Sequence, residues 1–259
     1  MLERFILNIT TLRREREIIV LLPDDYYQSN KSYPVLYIND GQNAFIDQEA
    51  FIKKSWGFAQ YSKKQHLDVI MVGIYCNFEG DKRIDEYGPW LISEELSFYH
   101  SGKKGKRIGG EGDKYIQWLG NECKQFIDQK YRTIQHDTAI CGSSMGGVIS
   151  AYACLKYPEI FPKCAALSTA FWFNMSEFEE LIKRSDPKKI ECFYFDVGND
   201  EGNGDDTVSR MYLQANNYIY HLLKEKGFVI HYSIYQDAKH NEWEWEKRVP
   251  VFMNLFYGK

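Results

Sequence analysis

One stretch of the chain reads Gly142-Ser143-Ser144-Met145-Gly146, which is a G-x-S-x-G pattern. The apolar run Thr138-Ala139-Ile140-Cys141 precedes it, and residues 147–155 are predicted to form a helix after it. A strand, a sharp turn and a helix in this order predict a nucleophile elbow, which exposes a serine hydroxyl. The glycines permit the strained turn and leave the approach to Ser144 open. A turn without function gives the same short pattern, so the rest of the chain must support this interpretation.

Around this turn the chain alternates strand-like and helix-like segments, which is typical of an α/β sheet with covering helices. Strands are predicted at residues 4–9, 16–22, 35–39, 68–75, 138–142, 163–168, 190–197 and 228–235. The first two are expected to form an antiparallel edge pair. Helices are predicted at 113–130, 146–156, 207–226 and 241–256, the last kinked or ended by Pro250. The 259 residues suit a single α/β domain, 1–259.

Composition and charge exclude several partners and locations. The net charge of -4 argues against nucleic acid or an anionic membrane as the main partner. No apolar run approaches the length that spans a bilayer, and the N-terminus does not resemble a signal peptide, so a cytoplasmic location is expected. The six scattered cysteines are expected to be buried, reduced thiols rather than disulfides or metal ligands.

A serine nucleophile needs a base, which in this chain order should follow a strand near the C-terminus. Three histidines precede the serine, and two others lie inside a predicted helix or strand. His240 follows the strand at 228–235 and a short loop, and it precedes a predicted helix. His240 is therefore the predicted base, and the alternative is a solvent-exposed loop histidine. The remaining histidines are His66, His100, His136, His221 and His231.

The orienting acid should follow the strand at 190–197, where several carboxylates crowd one loop. Asp196 lies within the strand and is less free to reach out. Asp200 and Glu201 are the two contenders. The loop does not meet the calcium-binding pattern, so no metal is expected, and a solvated acidic loop without a role is the other interpretation.

Acyl chemistry also needs an oxyanion hole. One donor is normally the backbone N–H after the nucleophile, which here belongs to Met145. The second normally comes from the loop after an early central strand. Here that loop contains Gly41, which permits the turn, and the backbone N–H of Gln42 is the predicted donor.

Residues 77–112 form a long polar and aromatic stretch between a predicted strand and a predicted helix. Segments of this length without regular structure are usually functional or disordered, and this one is too aromatic for simple disorder. We interpret it as a lid-like or substrate-binding insertion, with packing over one sheet edge as an equal alternative. Its Trp90 is a candidate for binding a ring of the substrate, although aromatic residues also form cores.

Together these motifs resemble the bacterial putative-esterase family of the α/β-hydrolase superfamily, over roughly residues 18–257. The family pattern is matched by Tyr33-Pro34-Val35-Leu36-Tyr37, Asp40-Gly41-Gln42-Asn43, Arg83 with Glu86-Tyr87-Gly88-Pro89-Trp90, and the elbow with Gly147. The siderophore trilactone esterase and esterase D-like branch is the most similar. The resemblance implies a mostly parallel central sheet with helices on both faces. It also favours Glu201, three residues after Gly198, as the acid, and Trp172 as a substrate-binding residue.

The resulting hypothesis is a serine carboxylic ester hydrolase that uses Ser144, Glu201 and His240 and forms an acyl-enzyme. It needs no cofactor and acts on a small-molecule ester. Two alternatives remain: an acyltransferase on the same fold, and a catalytically idle carbohydrate- or partner-binding protein. The sequence leaves the natural substrate and the oligomeric state open.

Overall fold

The computed structural model describes residues 1–258, and for residues 98–101 it describes the backbone alone. The described chain forms eight strands: β1 (Leu2–Ile9), β2 (Arg14–Leu21), β3 (Tyr33–Asn39), β4 (Ile70–Ile74), β5 (Thr133–Ser143), β6 (Lys163–Leu167), β7 (Cys192–Asp200) and β8 (Ile230–Lys239). They build one sheet in the order β1-β2-β4-β3-β5-β6-β7-β8.

The sheet is parallel except at one edge. β1 pairs antiparallel with β2, and β2 pairs antiparallel with β4, so the predicted antiparallel edge pair is confirmed. All the pairs from β4 across to β8 are parallel. Because the carboxyl ends of parallel strands share one edge of the sheet, the loops after β3, β5, β7 and β8 meet there.

The described residues also form nine α-helices: α1 (Phe58–Gln65), α2 (Lys82–Tyr87), α3 (Glu94–Ser101), α4 (Gly112–Trp118), α5 (Lys124–Lys130), α6 (Met145–Lys156), α7 (Met175–Arg184), α8 (Asp206–Lys226) and α9 (Glu242–Tyr257). A π-helical turn, Leu119–Cys123, joins α4 to α5, so the helix predicted at 113–130 is one continuous helical segment. The helices predicted at 146–156, 207–226 and 241–256 correspond to α6, α8 and α9. The sequence did not predict α1, α2, α3 and α7.

Side chains of the central strands alternate between two hydrophobic cores. In β3, Val35 and Tyr37 belong to the core that also contains residues of α4, α6, α7 and α8. Leu36 and Ile38 belong to the opposite core, which contains residues of α1 and α9. Because strand side chains point to opposite faces in turn, this alternation confirms the prediction of helices on both faces of the sheet.

The segment 77–112 is not a long loop, because α2 and α3 lie within it. Its Glu86 is fully buried and binds two arginines of the antiparallel edge: Oε1 accepts a hydrogen bond from Arg14 at 2.8 Å, and Oε2 accepts one from Arg16 at 2.6 Å. The segment therefore packs over one edge of the sheet. Arg83 of the same segment lies at the carboxyl ends of the parallel strands, where it contacts Asp40 after β3.

The last helix does not end at Pro250. α9 runs on to Tyr257, and Val249 and Phe252 on either side of the proline are buried in the core. We attribute this to packing, because the burial of two apolar side chains outweighs the backbone hydrogen bond that proline cannot donate.

All six cysteines are buried, and none of them is in a disulfide. Within residues 1–258, no helix combines the length and apolar character that crossing a bilayer requires.

Candidate active site

The predicted elbow lies where β5 ends and α6 begins. Ser144 alone forms the turn, with a φ of 56° and a ψ of -121°. A positive φ is strained for a residue with a side chain and persists only where the surroundings enforce it. Here the Ser144 N–H donates to the carbonyl of Leu167 at 2.9 Å, and the Ser144 carbonyl accepts from the N–H of Val148 at 3.1 Å. These bonds anchor the turn to β6 and α6.

Two glycines make this turn sterically possible. A Cβ on Gly142 would lie 2.4 Å from the carbonyl oxygen of Gly146, which no side chain tolerates. A Cβ on Gly146 would lie 3.0 Å from Oδ2 of Asp40, so the neighbouring loop would have to shift. The G-x-S-x-G spacing is therefore required by the contact of the elbow with itself and with the loop after β3.

The two predicted oxyanion donors follow neighbouring strands, β3 and β5. Met145 is the first residue of α6, so its N–H has no acceptor within the helix and lies at the positive end of the helix dipole. Gln42 lies in the short 3₁₀ turn Gly41–Asn43 directly after β3. Its side chain fixes that turn, because Oε1 accepts from the Cys76 N–H at 3.1 Å and Nε2 lies 3.4 Å from Cys76 Sγ.

Glu201 and His240 form a close hydrogen-bonded pair. Oε2 of Glu201 lies 2.7 Å from Nδ1 of His240, and Glu201 Oε1 accepts from the Gly198 N–H at 2.5 Å. The Glu201 side chain is fully buried, whereas that of His240 is 21% exposed. The two residues directly follow β7 and β8, which are paired, so the sheet itself brings them together. The carboxylate is thus fixed on one side by backbone and faces the imidazole on the other.

The other two acids considered for this role have different partners. Oδ1 of Asp200 accepts from the Gly204 N–H at 2.7 Å, which stabilises the turn after β7. Asp196 is fully buried and accepts hydrogen bonds at 2.6 Å from both Arg248 and the hydroxyl of Tyr194. Burial raises the pKa of the Asp196 carboxyl, and the Arg248 guanidinium opposes that shift.

Ser144 and His240 open into the same cavity, whose volume is about 300 Å³. Its inner wall carries charged side chains, and Arg83 there donates to both carboxylate oxygens of Asp40, at 2.7 and 2.6 Å. Large apolar side chains at its mouth are exposed to solvent: Phe51 (75%), Phe78 (64%) and Ile52 (41%). The cavity therefore combines a polar interior beside the serine with an apolar entrance.

Tyr212 of α8 is a neighbour of the site that the sequence analysis missed. Its ring centroid lies 5.2 Å from that of His240. Burial raises the pKa of the Tyr212 phenol to about 12, and the neighbouring Ser144 and Trp172 side chains partly offset that shift. The chain contains 19 tyrosines, and nothing in the sequence distinguishes Tyr212 from the rest. Its proximity to Ser144 arises only from the packing of α8.

The structure does not place the two predicted substrate-binding tryptophans in the wall of this cavity. Trp90 packs edge-on against Phe178, with ring centroids 5.2 Å apart, and lines a separate cavity of about 460 Å³ beside α6 and α7. The ring of Trp172 lies edge-on to that of Tyr212, with centroids 5.9 Å apart, so Trp172 is a neighbour of Tyr212 rather than a lining residue of the cavity. Both rings are partly buried, which corresponds to the packing alternative for aromatic side chains.

The strand order, the strained elbow after β5 and the histidine after β8 define an α/β-hydrolase fold. The model of a family described as "Putative esterase" matches residues 9–253. The chain belongs to this family, and its membership supports a hydrolase.

The chain is also similar to a curated relative and to solved structures. The uncharacterized protein YbbA of Bacillus subtilis (strain 168) is 25% identical over 249 residues, which is 94% of this chain and 93% of YbbA. An IroE-like serine hydrolase from Shewanella oneidensis has a TM-score of 0.75 at 21% identity, covering 99% of this chain and 80% of its own. The siderophore hydrolase EstA from Aspergillus nidulans has a TM-score of 0.71 at 18% identity, covering 98% and 94%. At these identities the two solved structures support the fold.

Proposed function

We propose that the chain is a serine carboxylic ester hydrolase with Ser144 as nucleophile, His240 as base and Glu201 as orienting acid. The observation that carries this proposal is the 2.7 Å contact between Glu201 and a histidine that shares a cavity with the strained Ser144. A buried carboxylate at Nδ1 holds the imidazole in the tautomer whose Nε2 can accept a proton. The same carboxylate stabilises the imidazolium that forms.

Acylation follows from these positions. His240 takes the hydroxyl proton of Ser144 as Oγ forms a bond to the ester carbonyl carbon. The carbonyl oxygen becomes an oxyanion, which accepts hydrogen bonds from the backbone N–H groups of Met145 and Gln42. When the tetrahedral intermediate collapses, the bond to the alkoxy oxygen breaks. The alcohol leaves with the proton from His240, and the acyl group remains on Ser144.

Deacylation repeats these steps with water in place of the serine hydroxyl. Water reaches the base because the His240 side chain is partly exposed within an open cavity. This access favours hydrolysis over transfer to a sugar or amine. Product analysis with such acceptors present is expected to show only the free acid, and an acylated acceptor as the main product would establish the acyltransferase alternative.

A fluorophosphonate probe tests the nucleophile directly, because it phosphonylates activated serines. Wild type and Ser143→Ala are expected to be labelled, whereas Ser144→Ala is not. Turnover of p-nitrophenyl acetate is expected to fall by ~10⁴-fold or more in Ser144→Ala and in His240→Ala. Equal labelling of Ser144→Ala and wild type would refute the assignment, and turnover unaffected by His240→Ala would favour an idle hydrolase scaffold.

A further inference from the structure

Glu242 is a buried carboxyl in the wall of the catalytic cavity that the proposed mechanism does not use. It is the first residue of α9, two positions after His240, and it is 5% exposed. The closest side-chain hydrogen bond to it is long, with Asn43 Nδ2 at 3.4 Å from its Oε1. Within residues 1–258, no ion pair of Glu242 with a lysine or arginine is found.

The guanidinium of Arg83, which lines the same cavity, is already paired with another carboxylate. Arg83 directs both its Nε and its Nη2 to the carboxylate of Asp40 and forms a bidentate pair with it. Burial raises the pKa of the Glu242 carboxyl and Asp40 adds to that effect, while its own backbone N–H, His240 and Arg83 oppose it. The cavity beside the serine therefore contains one carboxyl whose charge is not matched by a bonded cation.

A buried carboxylate without a bonded cation is unfavourable, because the neutral donors around it replace its lost hydration only in part. A positively charged ligand group in the cavity would supply the missing partner, whereas an anionic group would be repelled. The ring of Trp245 lines the same cavity, and the face of an indole also attracts ammonium groups. The exposed rings of Phe51 and Phe78 at the mouth suit an apolar portion of the same molecule.

We propose that Glu242 makes this site selective for esters that carry an ammonium group, either a protonated amine or a quaternary ammonium. The charged group would lie beside Glu242, with the ester carbonyl at Ser144 and the apolar portion toward Phe51 and Phe78. This inference rests on the proposed esterase function, which neutral esters test independently.

Two matched substrate pairs measure this selectivity. For the alcohol side, a choline ester is compared with the neutral ester in which carbon replaces the ammonium nitrogen. For the acyl side, methyl benzoate with a para aminomethyl group is compared with the same ester bearing a para ethyl group. In at least one pair, wild type is expected to favour the charged ester by ~10-fold in kcat/KM, mainly through KM, because a partly desolvated ion pair is worth about that much.

Glu242→Gln is expected to bring that ratio close to one, since the amide keeps the shape and removes the charge. Glu225→Gln is the matched control: it removes an exposed carboxyl from the last turn of α8 and should leave the ratio unchanged. A wild-type enzyme that turns over neutral esters without preferring either charged one would overturn the inference and leave the esterase proposal intact. A preference that persists in Glu242→Gln would also overturn it.

A binding measurement tests the cation site even if the protein turns over none of these esters. Phenyltrimethylammonium is titrated calorimetrically into Ser144→Ala and into Ser144→Ala with Glu242→Gln. We expect binding to the first protein and at least ~5-fold weaker binding to the second. Equal binding to both, or to neither, would reject a cation site at Glu242, whatever the outcome of the activity assays.

Discussion

Two acid–base pairs have their carboxylates in β7 or directly after it, and the pairs differ in their exposure to solvent. Glu201 contacts His240 at 2.7 Å, and the histidine side chain is 21% exposed in the cavity. Asp196 contacts Arg248 at 2.6 Å, with the two side chains 0% and 1% exposed. Histidine exchanges its proton near neutral pH, whereas arginine keeps its charge. Similar geometry thus gives one pair suited to proton transfer and one suited only to holding the fold together.

We call the buried Asp196–Arg248 pair the sealed pair and the Glu201–His240 pair the open pair. The sealed pair also supports the open pair. Ser168 Oγ accepts hydrogen bonds from Arg248 at 2.9 Å and from the indole N–H of Trp245 at 3.0 Å. The Trp245 ring in turn stands edge-on to the His240 ring, with centroids 5.0 Å apart. The buried ion pair therefore fixes α9 against the sheet, and α9 begins two residues after His240.

Among changes to the acidic partners of these two pairs and their neighbours, the largest effect is expected from Glu201→Gln. The glutamine amide would donate to Nδ1 of His240 and favour the tautomer with a proton on Nε2, which cannot accept the serine proton. We expect kcat to fall by ~10³ to 10⁴-fold, measured with p-nitrophenyl acetate. Asp200→Asn, which changes the neighbouring carboxylate, should alter kcat less than ~3-fold. If Asp200→Asn lowered kcat more than Glu201→Gln did, Asp200 rather than Glu201 would be the acid that orients His240.

Arg248→Met tests the sealed pair, and its effect should appear in stability. The change leaves Asp196 buried without its cation, which typically destabilises a fold by about 3–5 kcal/mol. Denaturant titration should show this loss as a lower midpoint, and adding Asp196→Asn to the variant should recover part of it. A loss below ~0.5 kcal/mol would mean that the pair contributes no more than an exposed one does.

The Glu201–His240 pair could be predicted from the sequence, because its signals follow the order of the strands along the chain. An elbow after one strand, a carboxylate after a later strand and a histidine after the last strand are local signals. The structure brings two of them, Glu201 and His240, into direct contact. The resemblance to the esterase family favours Glu201 over Asp200, because Glu201 lies three residues after Gly198, and in the structure the Gly198 N–H donates to the carboxylate of Glu201.

The Asp196–Arg248 pair could not be predicted, because the two residues are distant in sequence. Arg248 and Asp196 are 52 residues apart, and nothing local links them. One signal did exist, since Arg248 shares the helix face of the buried Trp245, Val249 and Phe252, where a charge needs a buried partner. Trp90 illustrates the converse, because an aromatic residue in a long insertion looks the same in sequence whether it packs or binds.

Trp245→Phe measures how far the two pairs are coupled, and its effect should be the smallest. Phenylalanine removes the hydrogen bond to Ser168 and shortens the ring that meets His240. We expect a loss of about 1–2 kcal/mol in stability and a fall of up to ~10-fold in kcat. Trp243→Phe on the same helix is the control, since Trp243 is 56% exposed and should affect neither quantity. If Trp245→Phe lowered stability and left kcat unchanged, the sealed pair would hold α9 without positioning the histidine, and the two pairs would be independent neighbours.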